Sequence, residues 1–431
     1  MRQNRDMSTA ADQLRPFFES MIGGPVPFAI RLWDGSSTGD PAAASTVTFR
    51  TPDALRRVLY APGELGFARA YVLGEIEVDG DLHAALRVLA QAAPELRMGW
   101  RMWARTARAG LRLGVVGAPL PAPPEEANLG GRLHSVRRDR AAIAHHYDLS
   151  NEFYELILGP SMTYSCARFT DAGNSLEEAQ AAKYELICNK LGLRPGMRLL
   201  DVGCGWGGMI VHAATHHGVD AVGVTISLEQ HDYARKRVAD AGLASRVQVR
   251  LQDYRELAGE RFDAICSIGM AEHVGRRQLR GYFGVLAALL PPTGRLLNHA
   301  ISTPNGASFD RTAFIARYVF PDGELPDVAE VVTGMQAHGL DVRDVEGLRE
   351  HYAITLRRWS ANLEAGWDDA CRLVGERRAR VWRLYLAGSA VSFEIADVGI
   401  HQVLGVKLTA GGESGMPLTR AAFDPTFAST A

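Results

Sequence analysis

Glu272 and His273 follow the apolar run FDAICSI (262–268), which is predicted to form a buried strand. A carboxylate at the point where such a strand leaves the core is either solvated in a loop or held there for chemistry. Glu272 is therefore a candidate functional residue. The rest of the sequence is needed to distinguish a solvated carboxylate from one that is held for chemistry. For His273 the pattern favours a structural role.

A second candidate is the run LLDVGCGWGG (199–208), in which an apolar stretch, an acid and a glycine-dense loop precede a helix-like segment. Glycines allow a backbone to turn sharply and to approach a ligand closely. The acid, Asp201, comes before the glycines, and the Gly-Lys-Ser/Thr motif of phosphate-binding loops is absent from the sequence. The pattern D-x-G-x-G-x-G resembles the first motif of class I methyltransferases, which use S-adenosylmethionine.

The elements that must position these residues alternate between strand and helix from about residue 143 onward. The strand candidates are MRLLDV, DAVGVTI, RVQVRLQ, FDAICSI, GRLLNHAI, LDVRDVEGL and VLGVKLT. This alternation predicts an α/β fold with a mostly parallel seven-stranded sheet covered on both faces, as in a Rossmann-like class I methyltransferase domain over residues 143–431. A smaller α+β domain is predicted over residues 1–112, and the proline- and glycine-rich, basic stretch 113–142 is the predicted linker.

Composition limits the class of protein. The chain has 431 residues, of which 47% are hydrophobic and 22% charged, with a formal net charge of −2, which argues against a dedicated nucleic-acid binder. Its five cysteines form no CxxC pair and no zinc-spaced cluster with histidine, so free thiols in a reducing compartment and no metal are expected. Because no run approaches the roughly 18 apolar residues of a membrane span and the N-terminus lacks an apolar signal region, we expect a cytoplasmic protein.

Residues 97–140 contain nine arginines and three acidic residues, a local excess of positive charge in a chain that is otherwise acidic. One interpretation is a helix with a solvated arginine face and tryptophans packed on their own domain. The other is peripheral attachment to an anionic membrane surface, which basic residues and Trp100 and Trp103 would favour.

The motifs taken together resemble the cyclopropane-fatty-acyl-phospholipid synthases and the mycolic acid cyclopropane synthases. The matching pieces are HHYDLSNEFYELILGPSMTYSCARF (145–169), LLDVGCGWGG, GVTISLEQ (223–230), LQDYREL (251–257), GMAEHVG (269–275), LLNHAIS (296–302), FIARYVFPDGELP (314–326) and HYAITLRRW (351–359). The resemblance implies transfer of a methyl or methylene group from S-adenosylmethionine to the double bond of unsaturated acyl chains through a carbocation. The leading zone is similar to the N-terminal domain of members that act on phospholipids, which favours a membrane-lipid substrate. The expected product is a cyclopropane.

The resemblance also implies which residues contact the cofactor. Tyr164 and Ser165 would meet its amino-acid end, and the loop that follows Asp201 would pass beside it at Gly203 and Gly205. The ribose and adenine contacts would come from Thr225, Gln230, Asp253 and Tyr254.

A carbocation on the acyl chain would be trapped by bulk water, so the site has to be dry and to contain one well-placed base. In the family this base is a bicarbonate ion held in a small polar cradle. The resemblance places the cradle at Cys166, Glu272, His299, the Ile301 backbone and Tyr352. Glu272 can accept the bicarbonate hydroxyl proton, while His299, Tyr352 and a backbone amide can donate hydrogen bonds to its oxygens.

Three alternatives stay open at this stage. The same donor and substrate could give a 10-methylene or methyl-branched chain, with a separate reductase completing the latter. The chain could instead methylate nitrogen or oxygen in a small molecule, or it could be a non-catalytic lipid-binding protein. A homodimer is a further expectation, since dimers are common among the proteins that the chain resembles.

Overall fold

This computed structural model describes residues 8–61, 63–92, 108–127, 138, 149–304 and 313–423. The chain folds into two compact units, of which the first comprises Met1–Ala127, Arg311–Val319 and Trp367–Ser392. The second comprises Asn128–Asp310, Phe320–Gly366 and Phe393–Ala431. Two segments of the predicted catalytic stretch 143–431 thus belong to the first unit, as does the beginning of the predicted linker. The sequence pattern locates elements but does not say which unit they pack on, and the predicted domain bounds stay a prediction.

The first unit is built around a small mixed sheet. Its N-terminal elements are α1 (Ala10–Ile22), β1 (Ala29–Arg31), β2 (Ser37–Gly39), β3 (Ser45–Phe49), α2 (Pro52–Tyr60), α3 (Glu64–Val72), β4 (Ile76–Gly80) and α4 (Leu82–Ala92). The strand order is β2-β1-β3-β4, with β1 and β3 parallel and the other pairs antiparallel. Burial alternates along β3, as expected for a strand with one face on the core. This agrees with the predicted α+β character of the N-terminal region.

The remaining helices and strands follow in chain order. They are α5 (Asn151–Leu158), α6 (Leu176–Leu191), β5 (Arg198–Val202), α7 (Gly208–His217), β6 (Asp220–Thr225), α8 (Leu228–Asp240), β7 (Val247–Leu251), β8 (Ala264–Ile268), α9 (Ala271–Val274), α10 (Leu279–Ala288), β9 (Arg295–Ser302), α11 (Phe314–Tyr318), α12 (Val328–Gln336), β10 (Leu340–Gly347), α13 (Arg349–Ala365), α14 (Trp367–Val374), α15 (Glu376–Glu394) and β11 (Gly399–Lys407). Of these, α11, α14 and nearly all of α15 belong to the first unit.

The second unit contains the seven-stranded sheet, in the order β10-β11-β9-β8-β5-β6-β7. The β9-β8-β5-β6-β7 stretch is parallel throughout, whereas β11 runs antiparallel to both of its neighbours. All seven predicted strands are present, and the predicted α/β class with a mostly parallel sheet is confirmed.

The interior strand β5 shows how the sheet is covered on both faces. Leu199 and Leu200 are both fully buried, but they belong to different apolar clusters, because successive side chains of a strand point to opposite faces. One cluster contains Phe262 and Phe283, and the other contains Ile187 and Met209. Parallel strands covered on both faces leave a crevice at their carboxyl ends, which is where such folds bind ligands.

Within the described residues no helix combines the length and the apolar character needed to cross a membrane. Most of the basic segment 97–140, including both of its tryptophans, lies outside the described residues. Arg108 and Arg112 are described and exposed. Arg138 is described as well, and its guanidinium forms an ion pair with Asp322 at 2.6 Å.

Candidate active site

A pocket opens at the carboxyl ends of β5, β6 and β8, with an empty volume of about 1250 Å³ that includes space open to solvent. Every residue predicted to contact the cofactor lines it. These are Tyr164, Ser165, Asp201, Gly203, Gly205, Thr225, Gln230, Asp253 and Tyr254. They come from four separate stretches of the chain, 164–165, 201–205, 225–230 and 253–254, so the fold brings the predicted contacts together in one place.

The glycine loop forms one wall of this pocket. Gly203 and Gly205 have φ values of +79° and +53°, a region that other residues rarely adopt. The amides of Gly203 and Cys204 both donate to the Val224 carbonyl at 3.0 Å, which ties the loop to β6. A Cβ at Gly203 would lie 3.2 Å from the Sδ atom of Met270, another lining residue. A side chain at Gly203 would therefore strain the backbone and press against Met270.

Asp201 lies at the base of the pocket and is only 2% exposed. Burial raises the pKa of its carboxyl to about 6, while the Cys266 thiol, which donates to Oδ1 at 3.3 Å, and the nearby Lys183 oppose the rise. The predicted motif acid is thus a desolvated group inside the site rather than a solvated loop residue.

Lys183 also lines the pocket and was not predicted from the sequence. It projects from α6, is completely buried, and its ammonium donates to Ser165 Oγ at 2.9 Å. Gln180, one turn earlier, donates from Nε2 to the Ser165 carbonyl at 2.9 Å. Burial lowers the pKa of Lys183 to about 7. Helix α6 thereby holds the Tyr164–Ser165 stretch, and a lysine within the helical run AQAAKYEL gives no sign of this in the sequence.

The predicted ribose and adenine contacts are ordered by neighbouring side chains. Thr225 Oγ1 donates to Gln230 Oε1 at 3.0 Å, and both side chains are buried. Asp253 accepts hydrogen bonds from the Arg255 backbone amide and guanidinium, at 2.7 Å for the closest of them. Arg255 also lines the pocket and was not predicted. These pairs fix the polar groups in position before a ligand arrives.

The predicted cradle residues do not line this pocket, but Glu272 and the Ile301 backbone are in direct contact. The Ile301 amide donates to Glu272 Oε1 at 2.7 Å. Glu272 Oε2 and His299 Nε2 are both buried and have no hydrogen-bond partner within the described part of the chain. His299 Nδ1 lies 3.3 Å from the Gln402 amide nitrogen, which can only donate, so Nδ1 accepts and Nε2 carries the ring proton.

Cys166 and Tyr352 are linked through one carbonyl group. The Leu348 carbonyl accepts the backbone amide of Tyr352 at 3.1 Å and lies 3.7 Å from the Cys166 thiol. The Tyr352 ring packs against Phe393 with centroids 4.7 Å apart. Burial raises the pKa of the Cys166 thiol, so this group is a neutral thiol rather than a nucleophilic thiolate.

Electrostatics around Glu272 favour uncharged groups. Burial raises the pKa of Glu272 to about 7, although the Ile301 amide opposes the rise. Burial also lowers the pKa of His299 well below its usual value and that of His273 to about 4, so both rings are neutral near pH 7. His273 lines the cofactor pocket and packs edge-on against Phe320, with centroids 5.7 Å apart. Two orphaned polar atoms in a buried setting suit a small ligand that both donates and accepts hydrogen bonds.

Comparisons with known proteins agree with this geometry. The family model described as mycolic acid cyclopropane synthetase matches residues 134–403. A probable fatty acid methyltransferase of Mycobacterium tuberculosis is 45% identical over 407 residues, covering 92% of this chain and 94% of that protein. The tuberculostearic acid methyltransferase of the same organism is 35% identical, with 88% and 87% covered. The cyclopropane-fatty-acyl-phospholipid synthase of Escherichia coli is 35% identical, with 88% and 91% covered.

Among solved structures, the mycolic acid cyclopropane synthase CmaA1 in complex with S-adenosylhomocysteine is similar, with a TM-score of 0.59 and 36% identity. The match covers 62% of this chain and 97% of that one.

Proposed function

The chain belongs to the mycolic acid cyclopropane synthetase family and is an S-adenosylmethionine-dependent methyltransferase, and on this basis we propose that it acts on the double bond of unsaturated acyl chains in membrane phospholipids. The expected product is a cyclopropane ring. The observation that carries the proposal is that Glu272 Oε2 and His299 Nε2 are both buried and have no hydrogen-bond partner among the residues that the structure describes. A methyltransferase of amines or hydroxyl groups has no need for a dry cradle beside its cofactor pocket.

The cofactor would be held by the nine predicted residues of the pocket. When bound, S-adenosylmethionine supplies a sulfonium methyl group, which is electrophilic enough for an alkene to attack. Lys183 holds Ser165, and Asp201 stays desolvated at the pocket base. The thiol of Cys166, which belongs to the predicted cradle, is buried and neutral, so it is not expected to act as a nucleophile. These residues therefore bind, orient and exclude water rather than react covalently.

We further propose that bicarbonate binds between Glu272 and His299. His299 can donate its Nε2 proton to an oxygen of the ion, and Glu272 Oε2 can accept the hydroxyl proton. The Ile301 amide is engaged by Glu272 at 2.7 Å, so its role in this proposal is to orient the carboxylate. Tyr352 and Cys166 would complete the cradle, as the family resemblance implies.

Peripheral association with an anionic membrane surface on the cytoplasmic side is part of the proposal, because a phospholipid substrate has to be reached at the bilayer. The excess of arginine in residues 97–140 supports it, as does similarity along most of the chain to a phospholipid-acting synthase. Arg138 is already paired with Asp322 and is not counted toward this surface. A homodimer remains a proposal of the same kind.

The test is incubation of the purified protein with S-adenosylmethionine labelled in its methyl group and vesicles of oleoyl phosphatidylglycerol, followed by proton NMR of the released acyl chains. Upfield cyclopropyl hydrogens that carry the label are the expected result. Glu272→Gln and His299→Ala should lose the product, whereas Glu413→Gln, at an exposed position, should retain it. Methylation of soluble amines with untouched vesicles, or full turnover in both cradle variants, would overturn the proposal.

A second product is favoured by one specific observation, the similarity to a tuberculostearic acid methyltransferase. In this version a hydride shifts from the methylated carbon to the adjacent cationic carbon, and the added methyl group then loses a proton to the base. The product is a 10-methylene chain that a separate reductase could convert to a methyl branch. Downfield vinylidene hydrogens in the same NMR experiment would identify this product. The cradle could serve either deprotonation, so the product must be determined by measurement.

A further inference from the structure

We propose that the chain binds a divalent transition-metal ion, with Zn²⁺ as the expected ion, between helices α6 and α7. Cys188 of α6 and His212 and His217 of α7 each offer one ligand atom, and these three atoms lie within 4.8 Å of one another. None of them lines the cofactor pocket or belongs to the predicted cradle. The cluster is therefore a separate site.

A carboxylate already lies between the two imidazoles. Glu185 Oε2 is 3.3 Å from His212 Nε2 and 3.1 Å from His217 Nε2. Glu185 precedes Cys188 by three residues, so both project from the same face of α6. One metal ion can take the place of these hydrogen bonds. Each neutral imidazole would move its proton from Nε2 to Nδ1 and coordinate through Nε2, which together with the Cys188 thiolate and the Glu185 carboxylate gives one sulfur, two nitrogen and one oxygen ligand.

This ligand set indicates the class of ion. Zinc prefers four ligands drawn from thiolate, imidazole and carboxylate, whereas magnesium and calcium prefer oxygen alone. The ligands are carried on two helices that pack against each other, so only small side-chain movements are needed to draw the three atoms together. Metal binding would release the thiol proton of Cys188.

The burial of the cluster also suits a metal site. Cys188 is fully buried in the apolar cluster that contains Ile187 and Met209. The imidazoles of His212 and His217 are 14% and 15% exposed, and the Glu185 carboxylate is 46% exposed. An ion can thus enter from the carboxylate side and be held on the other by sulfur.

Such an ion would crosslink α6 and α7, two helices that contribute residues to the cofactor pocket. Helix α6 carries Lys183 and Tyr184, and α7 begins at Gly208, where a Cβ would lie 2.2 Å from the Tyr184 hydroxyl oxygen. This close approach requires α6 and α7 to keep a fixed spacing. A metal between Cys188 and the two histidines would maintain it.

No metal was expected from the sequence, because His212 and His217 have the H-x4-H spacing of a zinc finger but no CxxC pair accompanies them. Glu185 and Cys188 are separated from His212 and His217 by β5 and the glycine loop, and only the packing of α6 on α7 brings them together.

The test uses the full-length chain freed of any polyhistidine tag and stripped of metal, titrated with Co²⁺ and then with Zn²⁺. We expect one Co²⁺ per chain, visible d–d bands of a tetrahedral site and a near-ultraviolet thiolate-to-cobalt charge-transfer band, all abolished by an equivalent of Zn²⁺. Cys188→Ser should lose the charge-transfer band, and His217→Gln should weaken binding by more than about tenfold. Zn²⁺ should raise the melting temperature of the wild type but not that of Cys188→Ser.

Matched controls keep the result interpretable. Cys371→Ser and His231→Gln, which alter a thiol and an imidazole outside the cluster, should bind Co²⁺ like the wild type. Glu185→Gln and His217→Gln change partly exposed side chains, so they test the site even if loss of the buried Cys188 thiol impairs folding. Absence of Co²⁺ binding, or a charge-transfer band that persists in Cys188→Ser, would refute the proposal. Neither readout depends on methyl transfer, so the metal site and the proposed function can fail separately.

Discussion

Replacing Glu272 by glutamine is expected to stabilise the folded chain at pH 8 while removing a group on which the proposed reaction depends. Burial raises the pKa of this carboxyl from 4.5 to about 7. Between these pH values the folded chain keeps a proton that the unfolded chain has lost, so stability falls as the pH rises through this window and stays lower above it. At about 1.4 kcal/mol for each tenfold change in proton affinity, the cost above pH 7 is about 3 kcal/mol.

Glutamine would recover part of this cost. Its oxygen can still accept the Ile301 amide, which donates to Glu272 Oε1 at 2.7 Å, but its buried NH₂ group would lack a partner as Oε2 does now. Allowing about 1 kcal/mol for that group, we expect the free energy of unfolding to rise by about 2 kcal/mol at pH 8. Below pH 4.5 Glu272 is protonated in both the folded and the unfolded wild type, so the greater stability of the variant should disappear.

Urea unfolding at pH 4.5, 6 and 8 measures the difference, provided that the slope with denaturant is unchanged between the proteins. Glu413→Gln is the matched control, because the same chemical change at an exposed position should leave stability unaltered at each pH. Two results would refute this reasoning: a Glu272→Gln variant that is no more stable than the wild type at pH 8, or a stability difference that does not vary with pH. Either would show that burial of the ionised Glu272 carboxylate does not destabilise the folded chain.

Further predictions concern the pocket and the membrane. Burial lowers the pKa of Lys183 to about 7, so above that pH only the unfolded chain holds the proton, and the wild type should gain stability between pH 7 and 10. Lys183→Met should lack this gain in urea titrations. Gly203→Ala should weaken binding of S-adenosylhomocysteine by about tenfold in calorimetry, because φ is +79° and Met270 Sδ would lie 3.2 Å from the new Cβ. Gly242→Ala, at φ +70° with open space around it, should carry similar strain and bind normally. Binding to anionic vesicles should weaken steeply with salt if residues 97–140 dock on lipid, and equal sedimentation with neutral vesicles would contradict this.

The sheet was predictable because its strands are apolar runs separated by glycine-rich turns, a pattern that buried parallel strands impose on a sequence. The pocket contacts could be placed because the glycine loop and the stretch from Tyr164 to Cys166 are short local motifs. Lys183 could not be placed at the pocket from the sequence, because its helix buries residues on several sides and its contribution depends on a contact with Ser165.

The partner of a backbone donor could not be read from the sequence either. The resemblance assigned the Ile301 amide to the bicarbonate cradle, but its hydrogen bond to Glu272 became visible only in the structure. The division into units was also hidden, because α14 and most of α15 belong to the first unit although they follow the catalytic motifs in the chain. Each of these features depends on packing between residues that are far apart in the chain, and such packing cannot be predicted from the spacing of residues in the sequence.

The position of β11 has a consequence for synthesis of the protein. This last strand is inserted between β9 and β10, so a chain emerging from the ribosome leaves one edge of β9 unpaired until residues 399–407 have been made. Unpaired edges are where nascent chains join one another. The hydrogen bond between His299 and Gln402 of β11 also cannot form until that strand has been made. A chain cut short before Gly399 should therefore aggregate, and the cradle is among the last parts of the molecule to be assembled.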